Sequence, residues 1–494
     1  MHIESRHKKI CSNCVGEPFL SALIKEDGET SVCYYCNNEE NKCISLEVFA
    51  DHIESAFERH YCRTSDQPDL YEGVLLRDNE SNYFWERHGD PAATAIEEAA
   101  VIDTVPANDA LKLLADRHSN FESAQMGEEC EFDEDSHYES KDIEDTVLSQ
   151  KFERIEHSLK SQTRFFNQPA EKFLAQLFDR IEEINTLNGR PAVVTAGPNN
   201  KINSFFRARV FHNMEELCEG LERPDTHLGP PPSKIARANR MNARGISVFY
   251  GADSPEVAIA EVRPPVGSQV LVGRFDLTRT VRLLDVEALR SIYIEGSIFD
   301  PNYVKQLELA RFLQRLSQRM TMPVMPNDEH SEYLITQMIA DYLARKPNPG
   351  MDGILYPSVQ NREEKWNVVL FQHASRVSRM HLPAGTELES YYYRYSEDEM
   401  DTPYRVWEVV PEVSNNINSD AKVGFNSNDV YENPQIGNDS REETLRLDVE
   451  TIRVHEITGA TFNTLSLPVE RARITKQEND AAGDSSHLSE SELF

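Results

Sequence analysis

The sequence predicts an α+β protein built around a mixed sheet, with a metal-binding module at its amino terminus. Between Phe205 and Phe371, short runs of β-branched and aromatic residues alternate with stretches of helical periodicity, which is typical of a mixed sheet flanked by helices. Near the amino terminus, four cysteines stand in two closely spaced pairs. The 494 residues, 39% of them hydrophobic, suffice for two or more globular domains.

The formal net charge of −33 is unevenly distributed along the chain. Residues 64–150 carry a net charge of −18 and residues 386–494 carry −14, whereas residues 151–385 carry +3. Such an acidic protein lacks the basic surface that duplex nucleic acid or an anionic membrane requires, so we expect neither as a partner. A site for an anionic small molecule is expected in the central region. The amino terminus lacks the apolar segment of a signal peptide, and we expect a cytoplasmic protein.

The cysteine pairs have the spacing of a zinc site. Cys11 and Cys14, then Cys33 and Cys36, form two C-x2-C pairs separated by 18 residues. Four thiolates so arranged can surround a zinc ion tetrahedrally and leave no open coordination position, which indicates a structural role. A redox pair and chance spacing are the alternatives. The other cysteines, Cys43, Cys62, Cys130 and Cys218, show no ligand spacing.

Helices are predicted after this module. Apolar residues recur at helical spacing from Ser45 to His60, and Ser45 can cap that helix. Similar periodicity marks residues 95–102, 107–115 and 143–184. The stretch 128–145 contains ten acidic residues and one lysine, which predicts a solvated loop or linker.

The central region combines arginines, a tyrosine and a glutamate around short strands. Residues 205–210 predict a strand with Arg207 and Arg209 on one face, and residues 246–250 predict a second strand ending at Tyr250. Ser254 and Pro255 predict a helix start, and the helix would reach Glu261 before Pro264 stops it. Further elements are expected as strands 270–272 and 281–285 and helices 303–319 and 331–343, with Asp328, Glu329 and His330 as helix-entry residues.

This arrangement resembles the RES domain. The matching residues are Arg207, Arg240, Tyr250 and Glu261, with ten residues from Arg240 to Tyr250 and eleven from Tyr250 to Glu261. Later motifs also match: Thr336-Gln337, then Gly353-Ile354-Leu355-Tyr356-Pro357-Ser358, then Asn367-Val368-Val369-Leu370-Phe371. The sequence around Arg240 departs from the family pattern, so Arg237 or Arg244 could take its role.

The resemblance implies an ADP-ribosyltransferase-like RES fold and an amino-terminal zinc-binding, HEPN-like region. We therefore expect a zinc-binding knuckle at residues 1–44, an acidic helical domain at 45–190 and a catalytic RES domain at 196–385. A β-rich extension should follow at 386–475, with an asparagine-rich flexible loop near 414–438 and a hairpin turning at Thr458-Gly459. The acidic tail 476–494 is expected to be disordered.

The resemblance also implies NAD degradation at the nicotinamide–ribose bond, by phosphorolysis or hydrolysis, with inorganic phosphate as a possible co-substrate. Nicotinamide leaves from a cationic pyridinium, so one carboxylate that stabilises an oxocarbenium-like centre is sufficient, and Glu261 is the candidate. Fixed arginines suit a pyrophosphate. The other expected catalytic residues are Arg207, Arg240, Tyr250 and Ser358, and the substrate-binding candidates are Arg209, Arg237 and Asn367.

Two other functions remain open at this point. The same site could transfer ADP-ribose to a macromolecule, or the chain could be a non-catalytic zinc-ribbon regulatory protein. Family members that act as toxins are held in check by a helix-turn-helix antitoxin, which makes such a protein a candidate partner here.

Overall fold

The computed structural model describes residues 7–78, 81–119, 129–325, 327–345, 350–358, 365–392, 404–411, 439–461, 464–469 and 471. Its helices are α1 (Pro18–Asp27), α2 (Leu46–His60), α3 (Leu70–Arg77), α4 (Ala92–Ala100), α5 (Thr104–His118), α6 (Thr146–Ser161), α7 (Gln168–Phe178), α8 (Met214–Glu222), α9 (Pro224–His227), α10 (Pro255–Glu261), α11 (Tyr303–Thr321) and α12 (Glu329–Arg345). Its strands are β1 (Lys9–Cys11), β2 (Glu29–Thr30), β3 (Lys42–Ser45), β4 (Tyr61–Arg63), β5 (Asp90–Pro91), β6 (His137–Ser140), β7 (Val193–Ala196), β8 (Ser204–Phe211), β9 (Phe249–Ala252), β10 (Gln269–Leu277), β11 (Val281–Asp285), β12 (Gly353–Pro357), β13 (Trp366–Leu370), β14 (Glu387–Tyr392), β15 (Tyr404–Val409) and β16 (Leu445–Glu456). The fold is α+β with a mixed sheet, as the sequence predicts.

The amino-terminal cysteine segment and the helices that follow it share one core. β3 pairs with β1 and β2, and its last residue, Ser45, caps α2 by accepting a hydrogen bond from the Val48 amide at 3.3 Å. Side chains from β1, α1, α2, α4 and α5 pack together, among them Ile10, Leu20, Phe49, Ile96 and Leu114. The boundary predicted between residues 44 and 45 therefore falls inside a packed unit.

The acidic stretch 128–145, predicted as a solvated loop or linker, is mostly loop and turn in its described part, residues 129–145, but it packs against the rest of the amino-terminal unit. Strand β6 lies within it and pairs with β4 and β5. Phe132 and Tyr138 are buried, and their rings lie 5.7 and 5.2 Å from that of Phe57. Two buried aromatic side chains anchor this segment while most of its acidic residues stay at least partly exposed. The acidic composition of this segment does not predict that two of its aromatic side chains are buried.

Helices α6 and α7 pack on the central sheet. They share a core with α11, α12 and the middle strands, in which Phe152 and Phe173 both meet Phe312, at ring-centroid distances of 5.4 and 5.5 Å. Arg315 of α11 also donates a hydrogen bond to Asp145 at 2.6 Å. The predicted domain 45–190 thus divides in the structure, because its first part packs with the cysteine segment and its second part with the sheet.

Within the described residues, the central sheet has eight strands in the order β16-β10-β8-β9-β13-β12-β11-β7. Strands β11 and β12 are parallel, and the other neighbours are antiparallel. Helices α6, α7, α11 and α12 cover one end of one face, α10 covers the other end of that face, and α8 packs on the opposite face. The space between α10 and α12 remains open. It adjoins β8 and β9, which pair at Phe206 and Ala252.

The carboxy-terminal segment completes the sheet at its edge. β16 pairs with β10 over Leu445–Glu456. The predicted hairpin through Thr458-Gly459 is not formed by the described residues, because 457–461 and 464–469 contain no returning strand. The alternation of apolar residues over Leu445–Val454 predicts a strand here but does not encode the partner of that strand. β14 and β15 form a separate two-stranded sheet. The predicted loop 414–438 and tail 476–494 lie outside the described residues.

No helix in the described part of the chain combines the length and apolarity needed to cross a membrane.

Candidate active site

The open space on the sheet face is a cavity of about 430 Å³. Residues of β8, β9, β12 and β13 line it together with α10, and residues from the end of α11, the start of α12 and the loop before β9 complete its wall. The predicted site residues that line the cavity are Arg207, Arg240, Tyr250, Glu261 and Asn367. Residues far apart in sequence therefore meet at one place.

Glu261 is the last residue of α10 and is held by two buried donors. Ser254 caps the helix by accepting from the Val257 amide at 3.4 Å, as the sequence predicts. The Oε1 atom of Glu261 accepts hydrogen bonds from Ser358 Oγ at 3.0 Å and from Asn367 Nδ2 at 2.8 Å. Ser358 is 8% exposed and Asn367 is 2% exposed, whereas Glu261 is exposed. One carboxylate oxygen is thus fixed, and these two bonds leave Oε2 available.

Arg207 of β8 places a guanidinium at the junction with β9. Its Nη1 donates to the Tyr250 carbonyl at 3.1 Å, and the guanidinium lies 5.1 Å from the centre of the Phe249 ring. The pKa of Arg207 is lowered to about 10, mainly because the side chain is buried; Tyr250 opposes this lowering and the charge of Arg209 adds to it. The side chain is still a cation at neutral pH.

Arg240 approaches the cavity from the loop before β9. Its Nη1 donates to the Met320 carbonyl at 2.7 Å, and its guanidinium lies 5.5 Å from the centre of the Tyr333 ring. The ring of Tyr250 also lines the cavity, but its hydroxyl donates to Asn242 Oδ1 at 2.8 Å and accepts from the Met241 amide at 3.1 Å. Burial raises the pKa of Tyr250, so this hydroxyl stays protonated.

Residues 208–392 match the family model of the RES domain. This part of the chain is a RES domain. No curated protein and no solved structure was found to match it. The match includes four of the five cavity residues predicted from sequence and begins one residue after Arg207. A RES domain is consistent with a toxin-type function related to NAD.

Three other arginines predicted for the RES site do not line its cavity. Arg209 is exposed, and its Nη1 donates to the His227 carbonyl at 3.0 Å. Arg237 and Arg244 are exposed on the same loop as Arg240. Arg240 lines the cavity, whereas Arg237 and Arg244 do not. This favours Arg240 over the two alternatives as the second arginine of the site.

The RES cavity contains polar residues that the sequence analysis did not select as site residues. Tyr356 lines the cavity, and burial raises its pKa well above the usual value, so its hydroxyl stays protonated and can donate a hydrogen bond. Tyr333 donates to Glu329 at 3.2 Å, and Glu329 both begins α12 and lines the cavity. Arg263 also lines it, with a positive φ of 44°. Tyr356 lies inside a matching motif, and Glu329 was predicted as a helix-entry residue, whereas no sequence signal marked Tyr333 or Arg263.

The four predicted zinc ligands lie together, away from these cavity residues. The sulfur atoms of Cys11, Cys14, Cys33 and Cys36 lie within 4.8 Å of one another, and three of the separations are 3.6, 3.6 and 3.8 Å. Zinc bound to four sulfurs at about 2.3 Å requires separations of about 3.8 Å. These cysteines could hold a metal ion and fit zinc.

Proposed function

We propose that this RES domain degrades NAD by cleaving the nicotinamide–ribose bond, through phosphorolysis or hydrolysis. The observation that carries the proposal is the position of Glu261. Its carboxylate is fixed by Ser358 and Asn367 in a cavity that also contains Arg207 and Arg240. One oriented carboxylate and two cations match the charge pattern of a dinucleotide that breaks down through a cationic sugar.

The reaction needs little from the protein beyond charge and orientation. When the bond between ribose C1 and the pyridinium nitrogen breaks, the electron pair goes to nicotinamide, which leaves as a neutral molecule. The positive charge that develops on the ribose is stabilised by a nearby carboxylate, the role we assign to Glu261. Phosphate or water then forms the new C–O bond, and water releases a proton. The products are nicotinamide with ADP-ribose 1″-phosphate or ADP-ribose.

The arginines supply the complementary charge for the pyrophosphate. Guanidinium groups bind phosphate oxygens through paired, directional hydrogen bonds, which ammonium groups match less well. Arg207 and Arg240 each use one described side-chain hydrogen bond to a backbone carbonyl, and their remaining N–H groups are available to a ligand. The cavity volume of about 430 Å³ also lies within the usual range of small-molecule sites.

The cellular role that we propose is that of a toxin or defence-type effector, because an enzyme that consumes NAD without restraint depletes the cell. A regulatory partner is then required, and a helix-turn-helix antitoxin is our candidate. The alternative activity, ADP-ribosyl transfer, would use the same cavity and differs in the acceptor.

The test is incubation of the full chain with NAD, with and without inorganic phosphate, and identification of the products by mass spectrometry. Glu261→Gln should lower turnover by roughly 100- to 1,000-fold, because it removes the charge that stabilises the transition state. The matched control is Glu256→Gln, in the first turn of the same helix and exposed, which should retain wild-type turnover.

Each product identifies one function. Free ADP-ribose indicates hydrolysis, ADP-ribose 1″-phosphate indicates phosphorolysis, and a modified macromolecule indicates transfer. Absence of all three from the wild-type reaction would contradict the proposal. Equal turnover by Glu261→Gln and wild type would remove Glu261 from the mechanism.

A further inference from the structure

The loop that carries Arg240, residues 237–246, has little regular structure of its own. Among its described residues, one isolated bridge joins Asn239 to Asn242. Arginine has a long side chain with about 2 kcal/mol of rotamer entropy, and a mobile loop beneath it would add to the cost of holding its guanidinium in place. Contacts beyond this one bridge are therefore needed to fix the backbone of the loop.

Asn242 ties the loop together from inside. Its side chain is buried, 5% exposed, and its Nδ2 lies within hydrogen-bond distance of three backbone carbonyls, those of Arg237, Ala243 and Ile246, at 3.0, 3.2 and 2.9 Å. Its Oδ1 accepts from the Tyr250 hydroxyl. The same hydroxyl accepts from the Met241 amide, so β9 holds the loop at two successive residues.

Helix α12 holds the loop from the other side. Thr336 Oγ1 donates to the Arg240 carbonyl, and Gln337 Nε2 donates to the Asn239 carbonyl at 2.8 Å. The adjacent turn of α12 supplies Tyr333, whose ring lies beneath the Arg240 guanidinium. Thr336 is buried and is not among the residues that line the cavity. The Thr336 hydroxyl can therefore affect the site only indirectly, by holding the backbone of Arg240.

We propose that Asn242, Thr336, Gln337 and the Tyr250 hydroxyl form a clip whose role is to pre-position the Arg240 guanidinium for an anionic group of the substrate. What Arg240 binds rests on the function proposed above, whereas the clip itself rests on these contacts. Asn242 and Thr336 are positioning residues that act through Arg240. In this arrangement, the entropy cost of ordering the arginine is met during folding instead of during ligand binding. Loss of a clip contact should therefore change KM rather than kcat.

The test compares Thr336→Val with Thr336→Ser. Valine keeps the approximate volume of threonine and removes the hydroxyl, while serine keeps the hydroxyl. Loss of one hydrogen bond should raise KM for NAD by roughly 5- to 10-fold in Thr336→Val with little change in kcat, and Thr336→Ser should restore it. In an Arg240→Ala background, Thr336→Val should change KM by less than about twofold, because the residue through which it acts is gone. An undiminished effect in that background, or equal KM in Thr336→Val and wild type, would overturn the proposal.

A second measurement does not depend on NAD turnover. Hydrogen exchange at the Met241 amide reports the clip directly, because that amide donates to Tyr250. The amide should be protected in the wild type and should exchange roughly tenfold faster in Tyr250→Phe and in Asn242→Asp. The first variant removes the hydroxyl that accepts from the amide, and the second places a carboxylate oxygen against three carbonyl oxygens. Slow exchange in both variants would contradict the clip. Protection lost as expected in a protein without NAD turnover would instead contradict only the proposed function.

Discussion

At the scale of single residues, the site depends on how buried polar groups constrain charged ones. Ser358 and Asn367 both donate to the same oxygen of Glu261, which fixes the direction of the carboxylate rather than merely its presence. Arg207 and Arg240 each rest on a backbone carbonyl and an aromatic ring. Preorganised charges of this kind act on a transition state without reorganising during the reaction.

Arg207→Lys should shift the alkaline limit of activity to lower pH. Burial is the largest cause that lowers the pKa of Arg207, to about 10, and a cation with a lowered pKa loses its proton at a lower pH. Lysine starts from about 10.4 in water, below arginine, so the same burial should neutralise it earlier. The measurement is kcat/KM for NAD between about pH 6 and pH 10.

The control for this variant is Arg209→Lys, two residues along β8, exposed and outside the cavity. Its pH profile should match that of the wild type. Identical profiles for Arg207→Lys and wild type would show that the charge at this position does not limit activity.

At the scale of elements, local signals predicted structure well, and long-range partners did not follow from them. The bounds of α10 could be predicted from sequence, because helix capping and helix termination depend on nearby residues. Here those residues are Ser254 and Pro255 at the start and Pro264 after the end. β9 runs from Phe249 to Ala252 rather than through the predicted residues 246–250, because strand ends depend on pairing. The apolar stripes of α6 and α7 show that each helix is buried on one side, but a stripe does not specify the surface that covers it.

The site shows the same limit. The motif spacing grouped Arg240, Tyr250 and Glu261, which line one cavity in the structure, yet nothing local distinguishes Arg240 from Arg237 or Arg244. That distinction comes from contacts with Met320 and α12, about 80 and 96 residues away in the sequence. The roles of Tyr333 and Arg263 likewise depend on where the α11–α12 connection and the end of α10 lie in space.

The cysteine element should require its metal to remain folded. Cys33→Ser should abolish binding of one equivalent of metal and the cooperative unfolding of the amino-terminal unit, because Cys11 ends β1 and this strand contributes to the unit's core. The measurements are metal content by mass spectrometry and thermal unfolding followed by circular dichroism.

Cys62→Ser is the matched control, since Cys62 lies on β4 outside the cluster. It should keep both the metal and the transition. Unchanged metal content in Cys33→Ser would refute the four-thiolate site.

At the scale of the whole molecule, the net charge of −33 describes the flanks rather than the site. The cavity lining contains three arginines, Arg207, Arg240 and Arg263, against two glutamates, Glu261 and Glu329. An anionic ligand that is repelled at long range by the acidic surface thus meets a locally cationic wall. Salt shortens the range of the repulsion more than it weakens contacts inside the cavity.

The packing of the whole chain predicts where it can be shortened. A chain of residues 141–494 keeps α6, α7 and β7, and should unfold cooperatively. A chain of residues 196–494, which begins at the boundary predicted from sequence, loses most of β7 and the buried side chains of Leu148, Phe152, Phe173, Leu174 and Phe178. Each large apolar side chain contributes about 1.5–3 kcal/mol when buried, so the five together approach the entire stability of a typical domain, about 5–15 kcal/mol.

The shorter chain should therefore aggregate or lack a cooperative transition, and the longer one should remain monodisperse with a defined Tm. Size-exclusion chromatography and thermal unfolding monitored by circular dichroism distinguish the two. A cooperative transition at the same temperature in both chains would mean that α6 and α7 contribute nothing to the stability of the sheet. A failure of both chains would instead place the essential contacts at Phe299 and Tyr303, where the amino-terminal unit meets the RES domain.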